Sequence, residues 1–450
     1  MRIQDEDALN AAQHAAHLAV LQGRLAVALD GTGFDGLVIA AGRPRLAFLD
    51  DQSYPFRPNP HFSWWVPGEV AAGSVLLVRP GHRPHLLVPR CEDFWHQPPV
   101  PPSGAWTSAF DIEEFDDAGT WPSALVCDNR TWAYIGEESP GLDVSRFGAV
   151  NPPRVLARLH EQRVRKTPHE VGRLRLASRR GALGHIAALR AFRDGASEFE
   201  IHRAFLGGCG AREQELPYNA IVALNGHGAV LHHQTLDRHA PARLRTLLID
   251  AGAPCDGYGS DITRTWAAEG EVEFPGVIRR MWRLQNSLAR DIRPGCDWVA
   301  LHLRCHELIG ELLAELGLWR GSPESCVGLG VTRSFMPHGL GHLLGLQVHD
   351  VAGRLPDPDG PPRLPPAGHE FLRLTRTLES GFVVTLEPGL YFIPMLLDRL
   401  RSTAEAKLVD WPMVERLRTC GGVRIEDNLV VTPEGHENLT RDAFAASAPP

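Results

Sequence analysis

The sequence predicts an α+β protein of two domains, an N-terminal α/β domain over residues 1–163 and a larger C-terminal domain over residues 164–450. Three observations lead there. Strand-like and helix-like stretches alternate through the first third. Lys166-Thr167-Pro168-His169-Glu170 has the form of a helix start, with Thr167 as N-cap and Pro168 at the first position, which sets the junction near Arg163–Thr167. Beyond that junction the strands are short and several end in an acid, most visibly in LLIDAGAPCDGYGSDITRTW, Leu247–Trp266.

Taken in order, Ala8–Leu29 is Ala- and Leu-rich with helical spacing, and Gly31–Gly33 stops it. Gly36–Ala40 reads as a strand. Ala41–Pro60 reads as a loop carrying Asp50 and Asp51. Ser74–Arg79 and His85–Val88 predict a hairpin around Pro80–Pro84. Pro98–Pro102 is a stiff connector, Trp121–Val126 a helix or loop, and Trp132–Gly136 another strand. Val155–Arg165 is helical, and the helix opening at Lys166 runs to about Phe192. Ser197 and Glu200 have capping-box spacing, so Ser197–Leu206 is another helix. Ala220–Leu224 is a strand. Gly276–Ile292 and Asp297–Leu318 are helices by periodicity. Pro356–Pro366 is a Pro-rich surface loop. Gly381–Glu387 and Val423–Glu426 are strands, with Asn428–Val431 continuing the latter. The tail, Ala445–Pro450, is expected to be disordered.

Composition narrows the function classes. The net charge of −8 and the lack of a Lys/Arg cluster with interleaved aromatics argue against nucleic-acid binding. No apolar run approaches bilayer length, so no membrane association is expected. None of the 8 Cys forms a C-x-x-C pair, and scattered thiols fit a reducing compartment. Met1–Asn10 lacks a signal-peptide pattern. The expected location is cytoplasmic.

Leu247–Trp266 reads as strand–turn–strand, which can bring Asp250 and Asp261, 11 positions apart, to one point. Two carboxylates there repel unless a proton or cation sits between them. Phe335–Gly353, FMPHGLGHLLGLQVHDVAG, sets His338, His342 and His349 among small and apolar residues. Three buried imidazoles are costly unless each ring nitrogen is satisfied, and Gly339 and Gly341 allow close backbone approach to a bound group. Glu387 ends the apolar strand of VVTLEPGLY, and Glu426 follows Arg424 in GGVRIEDN. Singly, either Glu reads equally well as half of a structural ion pair. Together, four carboxylates and one imidazole can hold two divalent ions, about 3.5–4 Å apart, clamping a water and lowering its pKa. A carboxylate-rich set favours hard ions such as manganese.

The ordered motifs LIDAG…SDITRTW, FMPHGLGH…GLQVHDVAG, VVTLEPGLYF and GGVRIEDN resemble those of the pita-bread dinuclear metallopeptidases, and within them the bacterial Xaa-Pro dipeptidases, or prolidases. FLDDQSYPFRPNPHF in the first domain resembles the same group. The resemblance implies a C-terminal pita-bread (creatinase/aminopeptidase-like) catalytic domain. It implies five metal ligands, Asp250, Asp261, His342, Glu387 and Glu426, with Asp261 and Glu426 bridging two ions, manganese first and cobalt or zinc as alternatives. His232 resembles a residue that contacts substrate or shuttles protons, His338 and His349 line the substrate pocket, and Tyr218 walls it. Arg373 and Arg424 resemble arginines that bind the product-side carboxylate. Relatives are dimers, so Asp51 and Trp95 become candidates for reaching a neighbouring active site. His233 departs from the Tyr that relatives often have there.

The implied reaction is hydrolysis of a dipeptide with a C-terminal Pro. A metal-bridging hydroxide attacks the scissile carbonyl, one ion polarises it, His232 or His349 stabilises the oxyanion, and Glu387 handles protons. Arg373 and Arg424 fix the free C-terminus. The alternatives are the same site acting on organophosphorus triesters, an aminopeptidase cleaving longer Xaa-Pro peptides, and a non-catalytic peptide-binding module.

Overall fold

The computed structural model describes residues 3–68, 70–90, 94–95, 100–116, 130–138 and 143–447. The expected element at Trp121–Val126, together with Cys91 and Cys127, falls outside them. The chain divides into two compact units. The first comprises Met1–Arg163, Thr167–Glu170 and Asp357–Gly360, and the second the remainder.

The first unit opens with α1 (Ile3–Leu29), which ends before Gly31 at φ +63°. Its sheet has six strands: β1 (Gly36–Ala40), β2 (Val75–Val78), β3 (His85–Arg90), β4 (Asp111–Asp116), β5 (Trp132–Ile135) and β6 (Ala149–Val150). The order is β4-β3-β2-β1-β5-β6. The expected hairpin is the antiparallel β2–β3 pair, whereas β5 runs parallel to β1. β1 is buried along its whole length, as a continuous apolar run should be when both faces of its sheet are covered. β4, DIEEFD, is mostly exposed, and its charge protects a sheet edge from further pairing. The short α2 (Pro60–Ser63) is capped by Asn59, and α3 (Pro153–Val164) follows β6.

The second unit carries α4 (Pro168–Arg193) from Val171 onward, and α5 (Glu198–Cys209). Thr167 and Glu170 cap α4 reciprocally, with Thr167 N donating to Glu170 Oε2 at 2.8 Å. Ser197 and Glu200 make the same box on α5, and Gly210, at φ +67°, closes that helix. Then come β7 (Ile221–Leu224), β8 (Thr246–Asp250), β9 (Pro254–Cys255), β10 (Tyr258–Gly259) and β11 (Thr263–Ala267). β8 is the centre of an antiparallel sheet between β11 and β7. The expected strand–turn–strand is therefore β8 and β11, with Thr263 opposite Asp250. Between them β9 and β10 make a small hairpin through Asp256 and Gly257, at φ +48° and +85°. Two positive φ values are what an Asp-Gly two-residue turn supplies.

Four helices follow: α6 (Phe274–Ala289), α7 (Trp298–Glu315), α8 (Pro323–Gly328) and α9 (Thr332–Phe335). The last part holds β12 (Val383–Leu386), β13 (Gly389–Tyr391), α10 (Pro394–Arg401), α11 (Trp411–Leu417), β14 (Gly422–Arg424), β15 (Asp427–Val431), β16 (His436–Asn438) and α12 (Leu439–Ser447). β15 pairs with β12 and β16, and β14 with β13. The expected single strand through Glu426 is thus two strands with different partners. The break falls at Ile425 and Glu426, whose N–H groups go to Pro388 and Thr263. The tail expected to be loose from Ala445 is helical to Ser447.

The unit's core joins Val277, Met281, Leu284 and Leu288 of α6 to Leu301, Cys305, Ile309 and Leu313 of α7 and to Val384, Leu386, Val423 and Leu429 of the strands. These positions recur every three or four residues on the helices, which is what buries one face of each. Full burial of each large aliphatic contributes about 1.5–3 kcal/mol. The result is a stiff frame beneath the strand ends.

Candidate metal centre

The strand ends bring the acids together. Asp250 closes β8, Asp261 lies just before β11, Glu387 follows β12, and Glu426 sits in the break between β14 and β15. His342 comes from the Gly-rich segment, whose backbone bonds to β12 through His342 O and Thr385 N. Asp261, His342 and Glu426 each offer a ligand atom within 4.8 Å of the other two. His342 Nε2 lies 3.3 Å from Asp261 Oδ2 and 3.6 Å from Glu387 Oε1. The other nitrogen, Nδ1, donates to Leu343 O at 3.0 Å, which leaves the Nε2 lone pair facing the acids.

Each acid is fixed from behind. Asp250 accepts from Tyr218 OH at 2.7 Å and from Arg424 Nη2 at 2.6 Å. Glu426 Oε2 accepts from Thr263 Oγ1 at 2.6 Å, and Thr263 Oγ1 in turn accepts from Arg424 Nε at 3.0 Å. Asp261 is anchored through its backbone by the Asn428 side chain. Glu387 Oε1 accepts from Thr385 Oγ1 at 3.3 Å. Glu426 Oε1 is buried with no hydrogen-bond partner. A buried carboxylate oxygen left this way requires a proton or a cation.

The electrostatics agree. Burial and the charges of Asp261, Glu387 and Asp250 push Glu426 well above the usual carboxylate range. Burial raises Asp250 against the pull of Arg424. Burial pushes Glu387 up to about 7, with His342 opposing and Asp261 adding to the rise. At Asp261 burial also acts upward, but the facing His342 outweighs it and the carboxyl sits low. Burial would lower His342, but Asp261 and Glu387 raise it. The cluster is therefore short of positive charge, and four carboxylates with one imidazole fit divalent cations.

The remaining expected residues separate into two sets. Arg424 is committed to the cluster, because Nη1 also donates to Tyr391 OH at 2.8 Å and the side chain is buried. Both nitrogens of His338 are engaged, Nδ1 with Gly339 O and Nε2 with Tyr391 OH, each at 2.8 Å. Burial first, then Arg424, lowers its pKa to about 4. His232, His349 and Arg373 are exposed. The His349 ring meets His342 edge-on at 4.4 Å, and burial, His342 and Arg373 lower its pKa to about 4. Asp51 and Trp95 are exposed residues of the first unit. The two glycines of the loop face protein rather than open space. A Cβ on Gly341 would strike the Thr385 carbonyl, and one on Gly339 would meet the Leu372 backbone at 2.9 Å.

Residues 172–433 match metallopeptidase family M24, and residues 12–160 match the Xaa-Pro dipeptidase N-terminal domain. A Xaa-Pro dipeptidase of Shewanella loihica is 42% identical over 429 residues, covering 95% of this chain and 97% of that protein. One of Xanthomonas campestris is 44% identical over 436 residues, with 96% and 98% covered. The chain belongs to the Xaa-Pro dipeptidases of metallopeptidase family M24. Its fold is that of the family's pita-bread enzymes. Aminopeptidase P from Escherichia coli superposes with a TM-score of 0.71 at 23% identity, covering 94% of this chain and 97% of that one.

Sequence reasoning missed three parts of this M24 chain. Tyr391 links His338 to Arg424 but sits in a motif read only for Glu387. Glu198, fully buried, accepts from His227 Nδ1, His233 Nε2 and the N–H groups of Leu224 and Asp237 at 2.7–3.0 Å. It holds the turn on which His232 stands, and the His227 and His233 spacing was the available signal. His302 and His306, one helical turn apart in HLRCH, also went unread.

Proposed function

We propose that this chain hydrolyses dipeptides of the form Xaa-Pro, using Asp250, Asp261, His342, Glu387 and Glu426 to hold two divalent metal ions. The convergence of these five side chains carries the reading, and the names of its relatives agree with it. Manganese is the proposed ion, since the donors are mostly hard carboxylate oxygens. When bound, such a pair polarises the scissile carbonyl and supplies a water of lowered pKa.

The chain's own residues do the rest. Arg424 holds Asp250 and, through Thr263, Glu426, so both acids stay aimed inward. Glu387 carries the proton to the prolyl nitrogen, a task suited to a carboxyl on the partly open side of the cluster, 18% exposed. His232 and His349 face the developing negative oxygen. Arg373, exposed and felt at His349, binds the free C-terminal carboxylate, for which a planar guanidinium is suited. Tyr218 closes the wall beside Asp250. Asp51 and Trp95 are proposed to serve the neighbouring site of a homodimer in the cytoplasm, and a fully active monomer in sedimentation would remove that part.

The test is hydrolysis of Gly-Pro, Ala-Pro and Leu-Pro by chelator-stripped protein, before and after adding manganese, cobalt or zinc. Turnover that depends on added ion, and that fails on a Pro-containing tripeptide, is expected. Ion-independent turnover, or none with any ion, sinks the reading.

A further inference from the structure

We infer that His302, His306 and His369 form a separate site for a single transition-metal dication, with zinc the best match to its imidazole-only donors. His302 and His306 sit four residues apart on α7 and share one face of it. His369 belongs to the segment between Pro366 and Leu372, where its N–H bonds to Pro366 O and its carbonyl accepts from Leu372 N. The three ring centroids are 4.7–4.9 Å apart. One nitrogen of each ring lies within 4.8 Å of the other two.

Two hydrogen-bond observations point to a ligand rather than to a closed cluster. His302 Nε2 and His369 Nδ1 lie 2.8 Å apart, so they can share one proton. His306 Nδ1 pairs with Thr332 Oγ1 at 3.0 Å. His306 Nε2 is then left without a partner in a side chain that is 1% exposed. A hydrogen bond between two rings cannot satisfy the third, but a cation takes a lone pair from all three. With Nδ1–H donating to the Thr332 hydroxyl, Nε2 is the ligand, the arrangement that partners behind a ligating His make. Three imidazoles and an open fourth position make a known zinc pattern.

Protonation does not compete near neutral pH. Burial, then the neighbouring rings, pushes His302 down to about 2. Burial, then His369, pushes His306 to about 3. The Arg333 charge near His306 and His369 works against a cation, while Glu370 beside His369 works for it. The site shares no residue with the acid cluster and differs from it in donor chemistry, so the two sort ions: hard ions to the carboxylates, zinc to the imidazoles. A bound ion would tie the segment that leads to Arg373 onto α7.

The experiment counts metal. Full-length protein is stripped with chelator, refilled with zinc, desalted and measured by elemental analysis, alongside His369→Gln and His306→Gln. Each variant is expected to hold one zinc fewer per chain than the wild type. That difference stands however many ions the acid cluster takes, so it fails or survives independently of the proposed peptidase reaction. Cobalt added to the wild type should give the intense visible absorption of a four-coordinate nitrogen site, and His369→Gln should lose it. His369 lies in a half-buried loop, and circular dichroism checks that its variant is folded. Equal zinc in folded His369→Gln and wild type, or no such cobalt band in the wild type, overturns the site and leaves a hydrogen-bonded histidine cluster.

Discussion

Arg424 Nη2 lies 2.6 Å from Asp250 Oδ2, and the same guanidinium reaches Glu426 through the Thr263 hydroxyl. One cation therefore aims two acids that are 176 residues apart in the sequence. Lys cannot reproduce that fork, because it offers a point charge and no second arm. Arg424→Lys should weaken metal binding by about 10–100-fold, the usual cost of losing a partner behind a ligand. Competition against a coloured chelator measures it. Unchanged affinity would mean that Asp250 and Glu426 need no such support.

Glu387→Gln removes the charge and the titration while keeping the shape. The expected loss in kcat is at least about 10²–10⁴-fold, the range for general acid–base groups. The fold should survive, since Gln can still accept from Thr385 and the contacts with His342 and His338 lie at 3.6 and 3.9 Å. Steady-state kinetics with circular dichroism check this. Near-wild-type kcat would discard the proton role.

In ion-free protein the acid cluster's own contribution to stability should fall as pH rises. Burial raises Glu387 to about 7, so the folded state keeps a proton that the unfolded chain releases in the ordinary carboxylate range. Its contribution is full below that range and is lost as pH climbs through about 7. Glu426 and His342 are also raised, so they act in the same direction. Buried His302, His306, His338 and His349 are lowered and act the opposite way. The cluster's share is therefore read as the melting-temperature difference between chelator-stripped wild type and Glu387→Gln, which should fall from about pH 5 to about pH 8. Added manganese should stabilise more at the upper end. A pH-independent difference would contradict this.

Glu198→Ala should cost about 3–5 kcal/mol, the range for breaking a buried charged pair. It strands two backbone N–H groups and two imidazoles. It should also raise KM, because the turn carrying His232 loses its anchor. Hydrogen bonds from His233 and from the backbone hold the Glu198 carboxyl down to about 2 despite burial. Its support is therefore present above the ordinary carboxylate range and lost as pH falls toward 2, so the deficit should shrink in acid. Urea unfolding at several pH values checks both.

Gly341→Ala drives a methyl group into the Thr385 carbonyl. The cost is expected at about 3 kcal/mol, the upper end for overpacking. The strain falls beside His342, so metal affinity should drop with stability. Thermal melts and metal titration read both, and a stable variant with normal affinity would show that the loop can yield.

Strong local signals were legible from residues alone. The Ser197–Glu200 box, the apolar run of β1, and the strands around Leu247 and Thr263 were all placed, because propensity and burial act together there. The convergence of Asp250 and Asp261 followed from antiparallel pairing. What stayed hidden depended on partners far along the chain. The break at Glu426 arises because β14 and β15 pair with different strands, and no residue there announces it. β4 lacks apolar alternation, and its parallel partner β3 must draw it into the sheet. The commitment of Arg424 to Asp250 was invisible, since a motif gives identity without direction. His369 lies 63 residues beyond His306, so their meeting could not be read from spacing.

The pairing of β12 with β15 bears on when an ion can be captured. Glu426 takes its place in the cluster where β15 pairs with β12 and the Thr263 hydroxyl meets its carboxylate. An ion that needs all five side chains can be held in full only by a chain whose distant strands have already paired.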